Sequence, residues 1–143
     1  MLAKQLSVFI ENRQGRLHQV LDVLKKNKIN ILSLSLADTT EYGLLRLIVN
    51  DPDLGKEKLY EAGFSIMITD ILVINIEHKA GSLQVLLETM SSKGINIEYM
   101  YGLSVDGDDA FVVLKTSDSD EATQILKSVG VKLLSNEDIK GLK

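Results

Sequence analysis

Two short stretches carry the residue types that can do binding chemistry, and one is a copy of the other. Asn12-Arg13-Gln14-Gly15-Arg16-Leu17 joins a strand-like run to a helical one, and His78-Lys79-Ala80-Gly81-Ser82-Leu83 does the same 66 positions later (Gly15 to Gly81). A glycine at such a turn lets the main chain approach a ligand closely, because no Cβ intervenes. The first N–H groups of a helix lack partners within it and carry partial positive charge, so they suit a carboxylate. The dipole contributes about 0.3–1 kcal/mol, rising to ~2 kcal/mol in a sheltered site. An asparagine adds a carbonyl acceptor and two N–H donors without net charge. Asn12 stands in the first turn, and Asn30 and Asn96 each lie inside an Ile-Asn-Ile triplet that opens the next apolar run. Plain structural roles fit the same residues. Gly15 and Gly81 permit a tight turn, Asn12 can cap a helix, Asn30 can bond loop backbone, and His78 can be a solvated turn residue.

The residue types needed for catalysis are not arranged for it. The chain has no Ser/His/Asp set and no P-loop. His18 and His78 lack the spacing of metal ligands. The absence of cysteine removes disulfides, thiolate metal sites and cysteine nucleophiles together. No metal, no cofactor and no enzyme activity are therefore expected. His18 reads as a surface residue of the first helix, and Arg13, Arg16 and Lys79 as a solvated rim that can draw in an anion. A net charge of −4 argues against nucleic acid, as does the lack of an aromatic strand motif. No apolar run approaches the ~20 residues of a membrane span, and Met1-Leu2-Ala3-Lys4-Gln5 is no secretion signal. The expectation is a soluble cytoplasmic protein with no membrane partner.

The elements that must position the two turns repeat with them. The offset of 66 also pairs Leu6 with Leu72, Ile10 with Ile76, Leu21 with Leu87 and Ile29-Asn30-Ile31 with Ile95-Asn96-Ile97. Such agreement through strand, turn, helix and strand marks an internal duplication. In the first copy, Leu6 to Ile10 alternates as a strand. Leu17, Val20, Leu21 and Leu24 form one helix stripe. Strands over 29–37 and 42–49 follow, joined by a turn at Asp38-Thr39-Thr40-Glu41. Asn50-Asp51-Pro52-Asp53 then opens a helix to about Ala62, and 64–69 makes a fourth strand.

The second copy restarts near Asp70. It has a strand over 71–76, a helix carrying Leu83, Leu86, Leu87 and Met90, and strands over 95–103 and 110–115 about the turn Asp106-Gly107-Asp108-Asp109. Ser117-Asp118-Ser119-Asp120 offers caps for a helix with Ala122, Ile125, Leu126 and Val129. Here the offset grows to 67 (Gly63 to Gly130), and 131–134 is the last strand. The tail 135–143 reads as polar and peripheral. The sequence thus predicts an α+β fold of two ferredoxin-like βαββαβ modules, 1–69 and 70–143. Modules of roughly 70 residues are close to the lower limit for a self-sufficient core. They are expected to pack side by side, helices on one face of a continuous antiparallel sheet, the other face less covered. Tyr99 and Tyr101 share a strand face where the first copy has Ser33 and Ser35, so the copies cannot be equivalent. Either core packing or a pocket border fits the two phenols. Arg46 is placed on the helix-free face with Leu44 and Ile48.

Glu-Asn-Arg-Gln-Gly-Arg-Leu followed by Ile-Asn-Ile on a βαββαβ frame resembles the ACT domain, a regulatory module that typically binds amino acids. Asn12, Gly15, Leu17 and Asn30-Ile31 match the family pattern, with Gln14 where a proline is common; the second copy keeps Gly81, Leu83 and Asn96-Ile97 but has His78 and Ala80. In a serine-sensing member of the family, asparagines matching Asn12 and Asn30 contact the bound amino acid. The resemblance implies a tandem ACT protein that senses an amino acid at the interface of its modules and modulates a separate metabolic enzyme or transporter. The expected ligand residues are Asn12, Gln14, Gly15, Arg16, Leu17, Asn30, His78, Ala80, Gly81, Ser82, Leu83 and Asn96 about the matching motifs, with Tyr99 and Tyr101 added from their shared strand face as the border of a pocket between modules. The alternative is a ligand-independent regulatory subunit that docks a catalytic partner through its sheet. A second copy of the chain is a candidate partner as well. The acylphosphatase phosphate loop is a weaker likeness of Asn12-Arg13-Gln14-Gly15-Arg16, and the second copy replaces Arg16 by Ser82.

Overall fold

The computed structural model describes residues 2–11, 13–38 and 42–142. The first copy consists of β1 (Ala3–Glu11), α1 (Arg16–Lys26), β2 (Ile31–Asp38), β3 (Tyr42–Val49), α2 (Pro52–Glu61) and the start of β4 (Ser65–Glu77). The rest of β4 begins the second copy, followed by α3 (Ser82–Ser92), β5 (Ile97–Asp106), β6 (Asp109–Thr116), α4 (Ser119–Ser128) and β7 (Lys132–Leu133). A last short helix, α5, covers Asn136–Lys140. The chain divides into two compact units, Lys4–Thr69 and Asp70–Ile139, with Ala3 joining the second and Lys140 the first. The expected break at Asp70 is absent at the level of secondary structure: β4 is one strand of 13 residues.

Within the first unit the sheet order is β2-β3-β1-β4, and within the second it is β5-β6-β4-β7. Both place the module's first strand second from the edge, the arrangement of a split βαβ unit. The strand registers are antiparallel, Leu6 opposite Leu47 and Leu47 opposite Leu34 in the first unit. In the second, Leu72 lies opposite Leu114 and Leu114 opposite Met100. Period-two alternation then sorts the side chains. Leu6, Val8 and Ile10 join Leu45, Leu47 and Val49 under Val20, Leu24 and Leu59. Leu72 and Ile74 join Val112 and Leu114 under Leu86, Met90, Ala122 and Leu126. Each fully buried Leu contributes about 1.5–3 kcal/mol. His18 is exposed, as the stripe implies, while Leu17 is also 37% exposed at the first turn of α1.

The helix-free face holds Arg46 and Ile48, since Leu45, Leu47 and Val49 point to the helices. In neither unit is that face bare. Ile48 in the first unit, and Ile71, Val73 and Val113 in the second, alternate with the helix-covered residues of their own sheet and are nevertheless buried. Gln5 and Ser7 of the first unit are buried on its helix-free face too, and Gln5 Nε2 donates to Ser7 Oγ at 3.2 Å. Ser7 Oγ in turn shares a hydrogen bond with Thr69 Oγ1 at 3.2 Å, so this polar row is partnered.

Local chemistry sets the helix starts. Asp51 accepts from the Leu54 N–H at 3.2 Å with Pro52 in the first turn, and Asp118 accepts from the Glu121 N–H at 3.0 Å. Two expectations need correction. Strands β2 and β5 begin two residues later than predicted, because Ile29 and Ile95 still donate to helix carbonyls, those of Leu24 and Met90. The tail is not merely peripheral either, since α5 buries Ile139. Its start is a reciprocal cap: Asp138 Oδ2 accepts from the Ser135 N–H at 2.9 Å, while Ser135 Oγ accepts from the Asp138 N–H at 3.2 Å. The tight turn between β5 and β6 is as read, with Asp106 opposite Asp109. Residues 39–41 of the earlier turn lie outside the described residues.

Gly55 shows how closely α2 approaches its sheet. A Cβ there would stand 2.8 Å from Leu6 Cδ1, and its counterpart at the offset of 67 is the fully buried Ala122. Gly55→Val is expected to destabilise the fold by roughly 1–3 kcal/mol through overpacking, read from the urea midpoint. The hydrogen bonds from the Ser135 backbone and side chain hold the Asp138 carboxyl below the usual aspartate value. A depressed carboxyl stabilises above its unfolded value and ceases to do so as pH falls through its folded one. Amide protection at Ile139 should therefore fade over that acidic range in hydrogen exchange. Asp138→Asn should remove the pH dependence.

Candidate functional site

The two strand-to-helix turns are built alike, bond for bond. In the first, Arg13 N–H donates to Glu11 O (2.8 Å), Arg16 N–H to Arg13 O (3.4 Å) and Gln19 N–H to Gly15 O (3.0 Å). In the second, Lys79 N–H donates to Glu77 O (3.0 Å), Ser82 N–H to Lys79 O (3.3 Å) and Val85 N–H to Gly81 O (3.1 Å). Gly15 and Gly81 are the helix caps, both at φ +87°. An L side chain is strained in that region. Nothing lies within 4 Å of a Cβ at either position, so conformation rather than crowding selects glycine. Ion pairs flank both turns: Arg13 with Glu11 at 3.4 Å, and Lys79 with Glu77 at 3.0 Å.

These helix starts differ from those of α2 and α4. Among the described residues no side chain caps α1 or α3, and neither helix carries an acid in its first turn. Both α2 and α4 are capped by an aspartate and have acids in the first turn. The Arg16 and Ser82 N–H groups are already taken by the Arg13 and Lys79 carbonyls, so the next ones, of Leu17 and His18 in α1 and of Leu83 and Gln84 in α3, are those left for an outside acceptor.

The structure gathers some expected residues and separates others. Gln14, Gly15, Arg16 and Leu17 are contiguous at the start of α1, as are His78, Ala80, Gly81, Ser82 and Leu83 at the start of α3. Asn12 lies outside the described residues. The His78 main chain is bound to the turn between β5 and β6, its N–H donating to Asp108 O at 2.6 Å. Asn30 and Asn96 sit beyond the far ends of α1 and α3. An 11-residue helix is about 16 Å long, so no small ligand spans Gly15 and Asn30 of one module. Their backbones are held by the next loop: the Asn30 N–H donates to Asn50 Oδ1 (3.0 Å) and the Asn96 N–H to Ser117 Oγ (3.2 Å). Both asparagine side chains are exposed. Tyr99 and Tyr101 stack with ring centroids 6.5 Å apart. Tyr101 pairs with Val113, on the face away from the helices, so within their own module they stand apart from the Gly81 turn.

Beside each turn, on the helix side, the modules diverge. In the first, the Arg16 guanidinium lies 4.5 Å over the Phe64 ring, and its Nη1 donates to Gln19 Oε1 at 2.8 Å. Arg16 Nε is shut off from solvent. In the second module Ser82, Val85 and Val131 stand at the corresponding positions. There a pocket of about 450 Å³ opens, lined among others by Glu77, Lys79, Ser82, Val85, Val129 and Val131. Of these, only Ser82 is an expected ligand residue. The missed signal was the offset of 67 past Gly63, which aligns Phe64 with Val131. Among the described residues no group of three acids or histidines could hold a metal. Among them, too, no helix is long and apolar enough to cross a membrane.

A family model described as an ACT domain pair matches residues 1–142. The chain belongs to the ACT domain pair family. ACT domains are a regulatory family that binds small-molecule ligands. The structure is similar to the crystal structure of protein BT0572 from Bacteroides thetaiotaomicron, with 39% identity, a TM-score of 0.94, and coverage of 99% of this chain and 98% of that one. It also resembles the ligand-free regulatory subunit of aspartate kinase from Thermus thermophilus (17% identity, TM-score 0.61, 90% and 94% coverage). The corresponding Thermus flavus subunit gives 16% identity, a TM-score of 0.62, and 90% and 92% coverage. At such identities the two Thermus structures speak for the fold alone. None of the curated proteins compared matches this ACT domain pair.

Because Gly15 and Gly81 are selected by backbone conformation, replacements should follow left-handed tolerance. Gly15→Ala and Gly81→Ala are each expected to cost roughly 1–2 kcal/mol, with asparagine cheaper and valine dearer. Chemical denaturation of the single variants ranks them. Equal stability of glycine and valine forms would contradict the assignment.

Proposed function

We propose that this ACT domain pair is a sensor. It binds a small zwitterion, an amino acid, and passes its occupancy to a separate metabolic enzyme or transporter, without catalysing a reaction itself. The observation that carries this reading is the doubled turn: a left-handed glycine at a helix start with no side-chain cap among the described residues, built twice with the same hydrogen bonds. The N–H groups behind Gly15 and Gly81 suit a carboxylate, and neighbouring carbonyl and carboxylate oxygens suit an ammonium. A handful of such bonds, less the cost of ordering, corresponds to a Kd between micromolar and millimolar, roughly −8 to −4 kcal/mol. That range lets occupancy follow a metabolite pool.

Calorimetry and thermal shift with the common amino acids at millimolar concentration test the reading. At least one is expected to bind with a Kd in that range and to raise Tm. Absence of heat and of any shift for all of them, on protein shown to be folded, overturns it.

A further inference from the structure

We infer that the pocket of the second module is a ligand site for an aliphatic amino acid, and that the first module has its counterpart plugged by its own side chains. The inference rests on the sensor reading and adds the module, the pocket and the ligand class. Its basis is the difference between the copies. Where the first module stacks Arg16 on Phe64 and ties Arg16 to Gln19, the second has Ser82, Val131 and Val85. Three long side chains have become three short ones at corresponding positions, and the space is a pocket of about 450 Å³. That falls within the ~300–1,000 Å³ usual for small-molecule sites.

The lining selects the ligand. Ile76, Val85, Val129 and Val131 form an apolar wall. Its valines are branched and aliphatic, and no aromatic ring lines the pocket, so an aliphatic side chain is the complementary body. At the polar side stand Glu77 and Lys79, 3.0 Å apart and each 70% exposed. Such an exposed pair is weakly coupled in water, and it opens to receive an ammonium at Glu77 and a carboxylate at Lys79. Ser82 lies beside them at the start of α3, where the partial positive charge also favours the carboxylate. Thr89 lines the pocket as well, but its hydroxyl already donates to Val85 O at 3.0 Å.

The test titrates valine, leucine and isoleucine, with serine and aspartate as comparators, into the full chain by calorimetry. The wild-type protein is expected to bind an aliphatic amino acid at one site per chain and the comparators at least tenfold more weakly. Ser82→Arg with Val131→Phe rebuilds the first module's stack in the second, and should weaken binding at least tenfold while a cooperative thermal transition persists. Should that double variant not fold, Val85→Asp at a 65% exposed wall position serves instead, with the same loss expected. Undiminished binding in the folded variants overturns the pocket while leaving the sensor reading in place. A preference for serine or aspartate does likewise. Failure of every amino acid to bind the wild-type protein removes both.

Discussion

The arrangement depends on one backbone constraint, the left-handed turn at Gly15 and again at Gly81. A strand that has buried Leu6, Val8 and Ile10 under its helices must reverse within a few residues so that α1 can lie back over the same side chains. A positive φ at the residue before the helix achieves this without a long loop. Among the described residues it also leaves the helix start without a side-chain cap. The geometry that closes the core is therefore also the geometry that leaves the second and third N–H groups of the helix without a partner inside it. The same holds for Gly81 over Leu72 and Ile74.

Duplication preserved this constraint and let the surroundings drift. The hydrogen bonds of the two turns agree within a few tenths of an ångström, and the flanking ion pairs keep their signs through Arg13/Lys79 and Glu11/Glu77. Helix starts that have no binding role expected of them, at Asp51 and Asp118, also kept their caps. One of the changes lies beside the turn, where Arg16 and Phe64 give way to Ser82 and Val131. A cation resting on a ring is a self-contained contact, so its loss in one copy opens space without disturbing the strands beneath.

The fold was legible because strand alternation and the helix stripes are local patterns, and because each was written twice. Helix starts at Asp51-Pro52 and Asp118 were legible for the same reason, since capping depends on neighbours within three residues. Strand starts at Ile31 and Ile97 were displaced by two residues, because Ile29 and Ile95 still close the preceding helices. The tail looked polar in sequence, yet Ile139 alone turns inward on a short capped helix. Two apolar residues in nine, Ile139 and Leu142, give no periodicity to read.

By itself the sequence determined the duplication, the βαββαβ order, the glycine turns and the membership of a regulatory family's pattern, since all of these are carried by spacing along the chain. Only the tertiary structure decided which of the candidate residues share a place. It set Asn30 and Asn96 at the far helix ends from Gly15 and Gly81, and turned Tyr99 and Tyr101 to the other face of the sheet. It brought Arg16 onto Phe64, 48 positions away, and opened a pocket where Ser82 and Val131 replace them. The physical reason is that a cavity is a property of packing: it depends on the volumes of side chains distant in sequence, which no local pattern records.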